Sequence, residues 1–411
     1  MAITPPSVTR DAVSGGSGTE SRATPGIRVA LVITGLDFGG AEKCLAQLAL
    51  NLDREQFLPE VYSLRPRPTA QQAGLVELLE SAGVPLHFLD ATSLWRAPRV
   101  VAQLRTLFRR QQPHVVQSFL YHANVMAILA ARLSAIPHVF TGIRVADPNP
   151  YRRQVERWLY GFAVLNVCVS RSVAADYSRS GFASMPGGAA DGLWQRQLAV
   201  VPNAVDFAAY THAPPADLSS LGLGPQRRVM LFVGRLDRQK GLDWLLTCMP
   251  DLLVRLPAYE LIVAGDGPQR DALARQAAQL GVADRVHFLG WRSDVPQLLK
   301  RANLLVLPSR YEGMPNVLLE ALAAGVPVVA TRAEGTTEIV GDLAESCLVE
   351  FGHSHDLIAR IVQVAADESL RGTLIAAGNE IVEREFSIEA MVRSYERLWR
   401  LAISSAPAAC P

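Results

Sequence analysis

Short apolar runs, each closed by a glycine- or proline-bearing turn and followed by a stretch of helical periodicity, recur along the chain. Residues 27–34 read as a buried strand, 35–40 as a glycine-rich turn and 41–52 as an amphipathic helix. Strand-like runs follow at 59–63, 115–118, 139–143 and 165–170. Helical stretches lie between them, and this alternation predicts a parallel sheet covered on both faces. Pro202 interrupts the pattern, and residues 206–225, rich in Ala, Pro, Ser and Gly without a clear period, predict a hinge. The cycle then restarts, with strands expected at 228–233, 259–264, 285–289, 303–307 and 327–330. Residues 388–403 form an amphipathic stretch able to pack on either half. The expectation is α/β: two doubly wound parallel-sheet domains facing a central cleft. The divisions expected are a flexible tail over 1–26, a first domain over 27–205, the hinge over 206–225, a second domain over 226–385 and a terminal helix and tail over 386–411.

Composition narrows this picture without redirecting it. A chain of 411 residues exceeds what one core usually organises. Its 49% hydrophobic and 19% charged residues fit a globular protein. A formal net charge of +1 offers no basic face for nucleic acid, which is excluded as an expected partner. Five scattered cysteines without a Cys-x-x-Cys pair point to a reducing, cytoplasmic compartment. The first 26 residues lack the apolar segment of a signal peptide. The longest apolar run, 125–136, carries Arg132 and falls short of the ~20 residues of a membrane span.

The candidate chemistry lies at predicted strand ends, where open α/β sheets bind ligands. In Ser-Arg-Tyr-Glu-Gly-Met-Pro-Asn-Val from Ser309 to Val317, Gly313 permits close backbone approach and Pro315 suits a first helical position. The free amides of that helix start, from Gly313 and Met314 through Asn316 and Val317, attract anionic or oxygen-rich groups. Glu312 faces the expected crevice. Glu320 falls in an otherwise apolar run and needs a partner, either a pair of hydroxyls or a nearby Arg. Arg235 and Lys240, in the Gly-Arg-Leu-Asp-Arg-Gln-Lys-Gly turn after 228–233, can grip a diphosphate, though loop cations are also ordinary surface charges. In the first half, Gly-Leu-Asp-Phe-Gly-Gly-Ala-Glu-Lys from Gly35 to Lys43 offers a small-residue wall at Gly40 but matches neither a dinucleotide fingerprint nor a P-loop. His122 and Arg144 follow two strands of that half and could point into the cleft. Gly290 and Trp291 follow another strand of the second half, where main-chain groups could read a base or simply make a turn.

With these residues in hand, the chain resembles the retaining glycosyltransferase family 4, whose members have the two-Rossmann GT-B architecture. The resemblance rests on Gly39-Gly40-Ala41-Glu42, Val201-Pro202-Asn203, the Gly234–Gly241 turn, Ala264-Gly265-Asp266-Gly267-Pro268 and the Glu-x7-Glu pair of Glu312 and Glu320. It implies transfer of a sugar from a UDP- or GDP-sugar donor to a glycan or lipid-linked acceptor, with retention, in surface-polysaccharide or glycolipid synthesis. The nucleotide-sugar is then a substrate, and no cofactor or metal is expected. The family's pattern implies that Arg235 and Lys240 hold the diphosphate and Glu320 the ribose. Glu312, helped by backbone amides at Gly313 to Asn316, holds the sugar, Gly40 borders the diphosphate, His122 meets the sugar near its reacting carbon, and Gly290 and Trp291 contact the base. His122, Glu312, Arg235 and Lys240 are accordingly the catalytic candidates. Many relatives carry a second His where this chain has Gln117.

Competing readings are a nucleotide-sugar-binding scaffold without turnover, a same-fold epimerase or phosphorylase, and an NAD-dependent oxidoreductase, which lacks its fingerprint here. The Arg-rich stretch 95–110, with Trp95, Leu, Val and Phe, suits either a solvated helix face or peripheral contact with anionic membrane.

Overall fold

A computed structural model describes residues 26–37, 39–145, 149–179, 194–195, 198–224 and 226–405. The tail over 1–25 and the last residues, with Cys410, lie outside the described residues.

The first sheet contains β1 (Ile27–Ile33), β2 (Phe57–Ser63), β3 (Leu86–Phe88), β4 (Val115–Phe119), β5 (His138–Ile143), β6 (Leu165–Cys168), β7 (Trp194–Gln195) and β8 (Leu198–Val200). Their order is β3-β2-β1-β4-β5-β6-β8-β7, parallel throughout except for the short antiparallel β7. The second sheet contains β9 (Arg228–Val233), β10 (Tyr259–Ala264), β11 (Val286–Gly290), β12 (Leu304–Leu307), β13 (Val328–Thr331) and β14 (Leu348–Val349). Its order is β11-β10-β9-β12-β13-β14, all parallel. Central strands such as β4, β5 and β12 are buried at every position, which explains their unbroken apolar runs. In each sheet the winding direction reverses beside the first strand, between β1 and β4 and between β9 and β12. A crevice therefore opens outside the carboxyl ends of those strands.

The segment expected to be a hinge is anchored. It carries the helix Phe207–Thr211, and Tyr210, Leu218 and Leu223 are buried in the second domain's core. The reason is that its few apolar residues sit where they can cover the helix Asn316–Ala323, to which Thr211 Oγ1 donates at the carbonyl of Ala323, 3.1 Å away. The chain instead passes between domains around Val205, whose amide donates to the Phe386 carbonyl (3.0 Å) as the chain returns. After that return the helix Ile388–Ser405 packs on the first domain. It buries Met391, Tyr395 and Trp399 against Cys44, Phe57 and Phe119.

The Arg-rich helix Ala97–Gln111 buries Val100, Leu104 and Phe108 in the core. Its apolar side is therefore occupied, and Arg105 and Arg109 turn outward to the carbonyl of Leu133. Among the described residues no helix is long and apolar enough to cross a membrane.

Candidate functional site

The second domain's wall is built from backbone packed on backbone. A Cβ at Gly265 would lie 1.9 Å from the carbonyl oxygen of Gly234, and one at Gly267 would collide with Leu236 N. The amide of Gly265 donates to the Gly290 carbonyl (2.8 Å), so the turns after β9, β10 and β11 lie side by side. Gly290 takes a left-handed φ of +69° beside Arg270, and Trp291 follows it half-buried. Gly241, at φ +68°, brings the turn after β9 onto the carbonyl of Pro308 after β12, where a side chain would overlap at 1.9 Å. This contact sets Lys240 beside the Ser309–Val317 loop.

Lys240 Nζ donates to Glu312 Oε1 at 2.5 Å, and Ser309 Oγ donates to the same oxygen at 2.7 Å. Both partners of the ion pair are largely buried, so it is held in a low-dielectric setting. The Glu312 amide donates to Glu334 Oε2 at 3.0 Å, which adds a third carboxylate to the wall. Arg235 is more exposed and is steadied by Asp237 at 2.5 Å. Pro315, expected at the first helical position, has an extended ψ of 112° and caps a helix that begins at Asn316. The chain is still turning there, so the helix begins one residue later than expected.

Glu320 is 5% exposed and is held from the other domain: Lys43 Nζ donates to its Oε1 at 2.7 Å across 277 residues of sequence. Tyr210 is buried near Glu320, and burial, with that carboxylate second, pushes the phenol far above its ordinary pKa. The cation that Glu320 required is thus a lysine of the glycine-turn helix Gly40–Asn51 rather than a neighbouring arginine.

Other contacts close the cleft. Asn203 Nδ2 donates to the Met314 carbonyl (3.0 Å) and to Asn316 Oδ1 (2.5 Å), and Asn316 Nδ2 donates to the Gly40 carbonyl (3.1 Å). The Asn203 side-chain oxygen in turn accepts from Arg144. At Gly313 a Cβ would stand 1.7 Å from the Arg144 carbonyl oxygen, so glycine is the residue that lets the two domains meet here. Val317 and Met314 are buried behind the loop.

The first domain's wall is made of side chains. Leu120, at φ +73° and ψ 153°, turns the chain sharply from β4 into the helix Tyr121–Arg132. Two residues after this turn, His122 lines a cavity of ≈ 280 Å³. The cavity is lined also by Thr34, Arg144, Arg152 and, from the second domain, Arg235. Burial, followed by the nearby Arg152 and Arg65 charges, lowers the His122 pKa, which favours a neutral imidazole. Thr34 Oγ1 and Arg144 Nη1 are buried without a hydrogen-bond partner among the described residues, as is Gln117 Oε1 on β4. Glu42 folds over Gly39, and burial is the main cause that raises its carboxyl to about 7.

The structure therefore gathers Arg235 and His122 on one cavity, Lys240 and Glu312 in one ion pair, and Gly40, Asn316 and Glu320 along the domain seam. Lys43, Tyr210, Ser309 and Glu334 join the site from positions that lack a local signature. Lys43 lies in the glycine turn's own string but faces a carboxylate that only the fold supplies.

Two family models match in tandem: Glycosyltransferase Family 4 over residues 38–208 and Glycosyl transferases group 1 over residues 216–381. The lipopolysaccharide core biosynthesis glycosyltransferase LpsE of Rhizobium meliloti is 34% identical over 205 residues, 50% of this chain and 58% of LpsE. Its companion LpsD is 29% identical over 229 residues, 56% of this chain and 61% of LpsD, so the match spans somewhat over half the length of these relatives. The 2-deoxystreptamine glucosyltransferase of Streptomyces kanamyceticus is 28% identical over 380 residues, 84% of this chain and 93% of that protein. Among solved structures, Anabaena HepE in complex with UDP and glucose has a TM-score of 0.74 at 21% identity, covering 91% of this chain and all of that one. WaaG, involved in lipopolysaccharide biosynthesis, has a TM-score of 0.66 at 17% identity over 92% of this chain and all of its own. At these identities the likeness is one of fold, and the fold is GT-B.

Proposed function

We propose that this chain, a member of glycosyltransferase family 4, transfers a sugar from a UDP- or GDP-sugar to a glycan or lipid-linked acceptor, with retention of anomeric configuration, in the cytoplasmic synthesis of surface polysaccharide or glycolipid. The observation that carries this reading is the meeting of Arg235 with His122 on one interdomain cavity, beside the buried Lys240–Glu312 pair. The matched transferases support it, as does the UDP held by the HepE neighbour.

In this scheme the donor lies on the second domain. Ribose hydroxyls take the place of the Lys43 ammonium on Glu320, and Arg235 and Lys240 face the diphosphate. The bond between the anomeric carbon and the terminal phosphate oxygen breaks as the acceptor hydroxyl approaches the same face of the sugar. The acceptor's proton passes to the departing phosphate. Charge gathers on that phosphate in the transition state, and preorganised cations stabilise it there most effectively. These cations take the role a metal ion would otherwise fill. Neutral His122 can accept or donate a hydrogen bond to the sugar without adding a charge. The four described cysteines, all buried and unpaired, suit a reducing compartment.

The test is to incubate the protein with UDP- and GDP-sugars and candidate acceptors and to follow the product by nuclear magnetic resonance. One donor should be consumed, giving a product of the donor's own anomeric configuration. An inverted product would contradict the mechanism, and binding without consumption would replace the enzyme with a scaffold.

A further inference from the structure

The first three amides of the first-domain helix Arg171–Arg179 are all bonded, but not all from their own domain. The Val173 amide donates to Ser170 Oγ at 3.2 Å, an ordinary local cap. The amides of Arg171 and Ser172 donate instead to Glu338 of the second domain, at 2.8 Å to Oε2 and 2.6 Å to Oε1. Ser172 Oγ donates to the same Oε1 at 2.6 Å and lies 3.0 Å from the Glu334 carbonyl oxygen. A carboxylate set against the positive end of a helix, and gripped by both oxygens, makes a strong charge-assisted contact. Glu338 belongs to the helix Glu334–Val340, one turn after Glu334, so the two share a face of that helix. Glu334 Oε2 accepts from the Glu312 amide, and a Cβ at Gly335 would stand 1.9 Å from the Gly313 carbonyl oxygen. The short helix thus touches the Ser309–Val317 loop at its start and the other domain one turn later.

We propose that Glu338 is a positioning residue, a clasp that ties the meeting of the two domains to the placement of Glu312. It touches no reacting atom. When the domains meet, the helix start at Arg171 docks on Glu338 and pins the helix Glu334–Val340 from the first domain. The first turn of that helix then holds the Glu312 amide and the Gly313 backbone, which the Arg144 carbonyl abuts from the other side. Backbone packs on backbone from Gly335 through Gly313 to Arg144, so a shift of either domain is carried to the Lys240–Glu312 pair. Two observations select this contact among those of the seam. Arg235, Lys240, Glu312 and Glu320 take no part in the carboxylate's bonds, so the clasp persists with a donor bound, whereas the ribose displaces the Lys43 bond to Glu320 in the proposed transfer. Ser172 and Glu334 also border a cavity of ≈ 320 Å³, so these polar groups regain water as the domains part. The clasp stands on geometry; its effect on turnover rests on the transferase reading.

The test joins small-angle X-ray scattering of the whole protein, with and without UDP, to steady-state transfer. The Glu338→Ala protein should scatter with a larger radius of gyration than the parent. Its kcat should fall by roughly 10- to 100-fold while the UDP dissociation constant stays within about twofold, because the nucleotide's own contacts are intact. Glu338→Gln keeps one acceptor oxygen and should recover part of the loss. Ser172→Ala, on the opposite domain, removes only the hydroxyl bond and should lower kcat by roughly 3- to 10-fold. Joined to Glu338→Ala it should add nothing, since both act through one contact. If Glu338→Ala fails to fold, Ser172→Ala and Glu338→Gln carry the same comparison. The proposal is overturned if the variants scatter as the parent does, if they open yet keep the parent's kcat, or if the losses of the two substitutions multiply. A parent that consumes no donor would remove the transferase reading, and the scattering comparison would still decide the clasp.

Discussion

The two walls of the cleft are made of different materials. On the second domain, Gly234, Gly241, Gly265, Gly267 and Gly313 hold turns so close that a methyl group at most of them would strike neighbouring backbone. On the first, the wall is side chains: His122 after the Leu120 turn, Arg152, and the buried atoms of Thr34 and Arg144 that have no partner among the described residues. Fixed backbone suits a ligand part that does not vary, such as a nucleoside diphosphate. Exchangeable side chains suit one that does, such as an acceptor. The contrast also explains why the motifs cluster in one half of the sequence.

Substitutions can break this contrast in order of severity. The largest effect is expected at the seam: Gly313→Ala places a Cβ on the Arg144 carbonyl, and steady-state turnover should fall by about 100-fold or more, with little change in melting. Normal turnover would mean that the closed arrangement is not the reacting one. Next, Arg235→Ala should lower kcat by roughly 100-fold whatever the acceptor. Arg152→Ala, on the opposite wall, should mainly raise the acceptor KM, and equal effects of the two on every parameter would erase the distinction. Gly241→Ala belongs to the second wall alone. Its left-handed φ and the Pro308 contact predict a loss of stability of about 1–3 kcal/mol by denaturant unfolding.

The smallest effect concerns Glu42, whose carboxyl is raised to about 7 from an ordinary 4.5. The folded chain holds a proton that the unfolded chain releases between those values. The contribution to stability is therefore complete below pH 4.5 and lost as pH rises through 7. Glu42→Gln should match the parent at pH 4 and exceed it at pH 8 by on the order of 1–3 kcal/mol, toward the lower end because the group is only half-buried. A constant difference across that range would place the perturbation elsewhere.

Strand positions were legible where fully buried parallel strands leave unbroken apolar runs: β9 and β10 coincide with their expected bounds and the other expected strands fall within about two residues, whereas the short β3, β7, β8 and β14 were not expected. The turns were legible because glycine is required where backbones touch. Pairings were not. Nothing local to Lys43 announces Glu320, which lies 277 residues away, and Tyr210 and Glu334 reach the site only through tertiary packing. Residues 206–225 resemble a hinge in composition, yet Tyr210, Leu218 and Leu223 suffice to anchor them. Helical periodicity likewise reveals an apolar stripe but not its direction. At 97–111 it faces the core, whereas at 150–159 Tyr151, Val155 and Trp158 face out and Leu159 alone turns inward.

The central claim, that the second domain grips the donor's nucleotide, is tested most directly by the thermal shift of parent and Glu320→Ala proteins with UDP and GDP. The parent should melt higher with one of these nucleotides as its concentration passes the dissociation constant, and Glu320→Ala should fold normally but lose that increment. A parent that neither nucleotide stabilises, or a Glu320→Ala protein stabilised as fully as the parent, would contradict it.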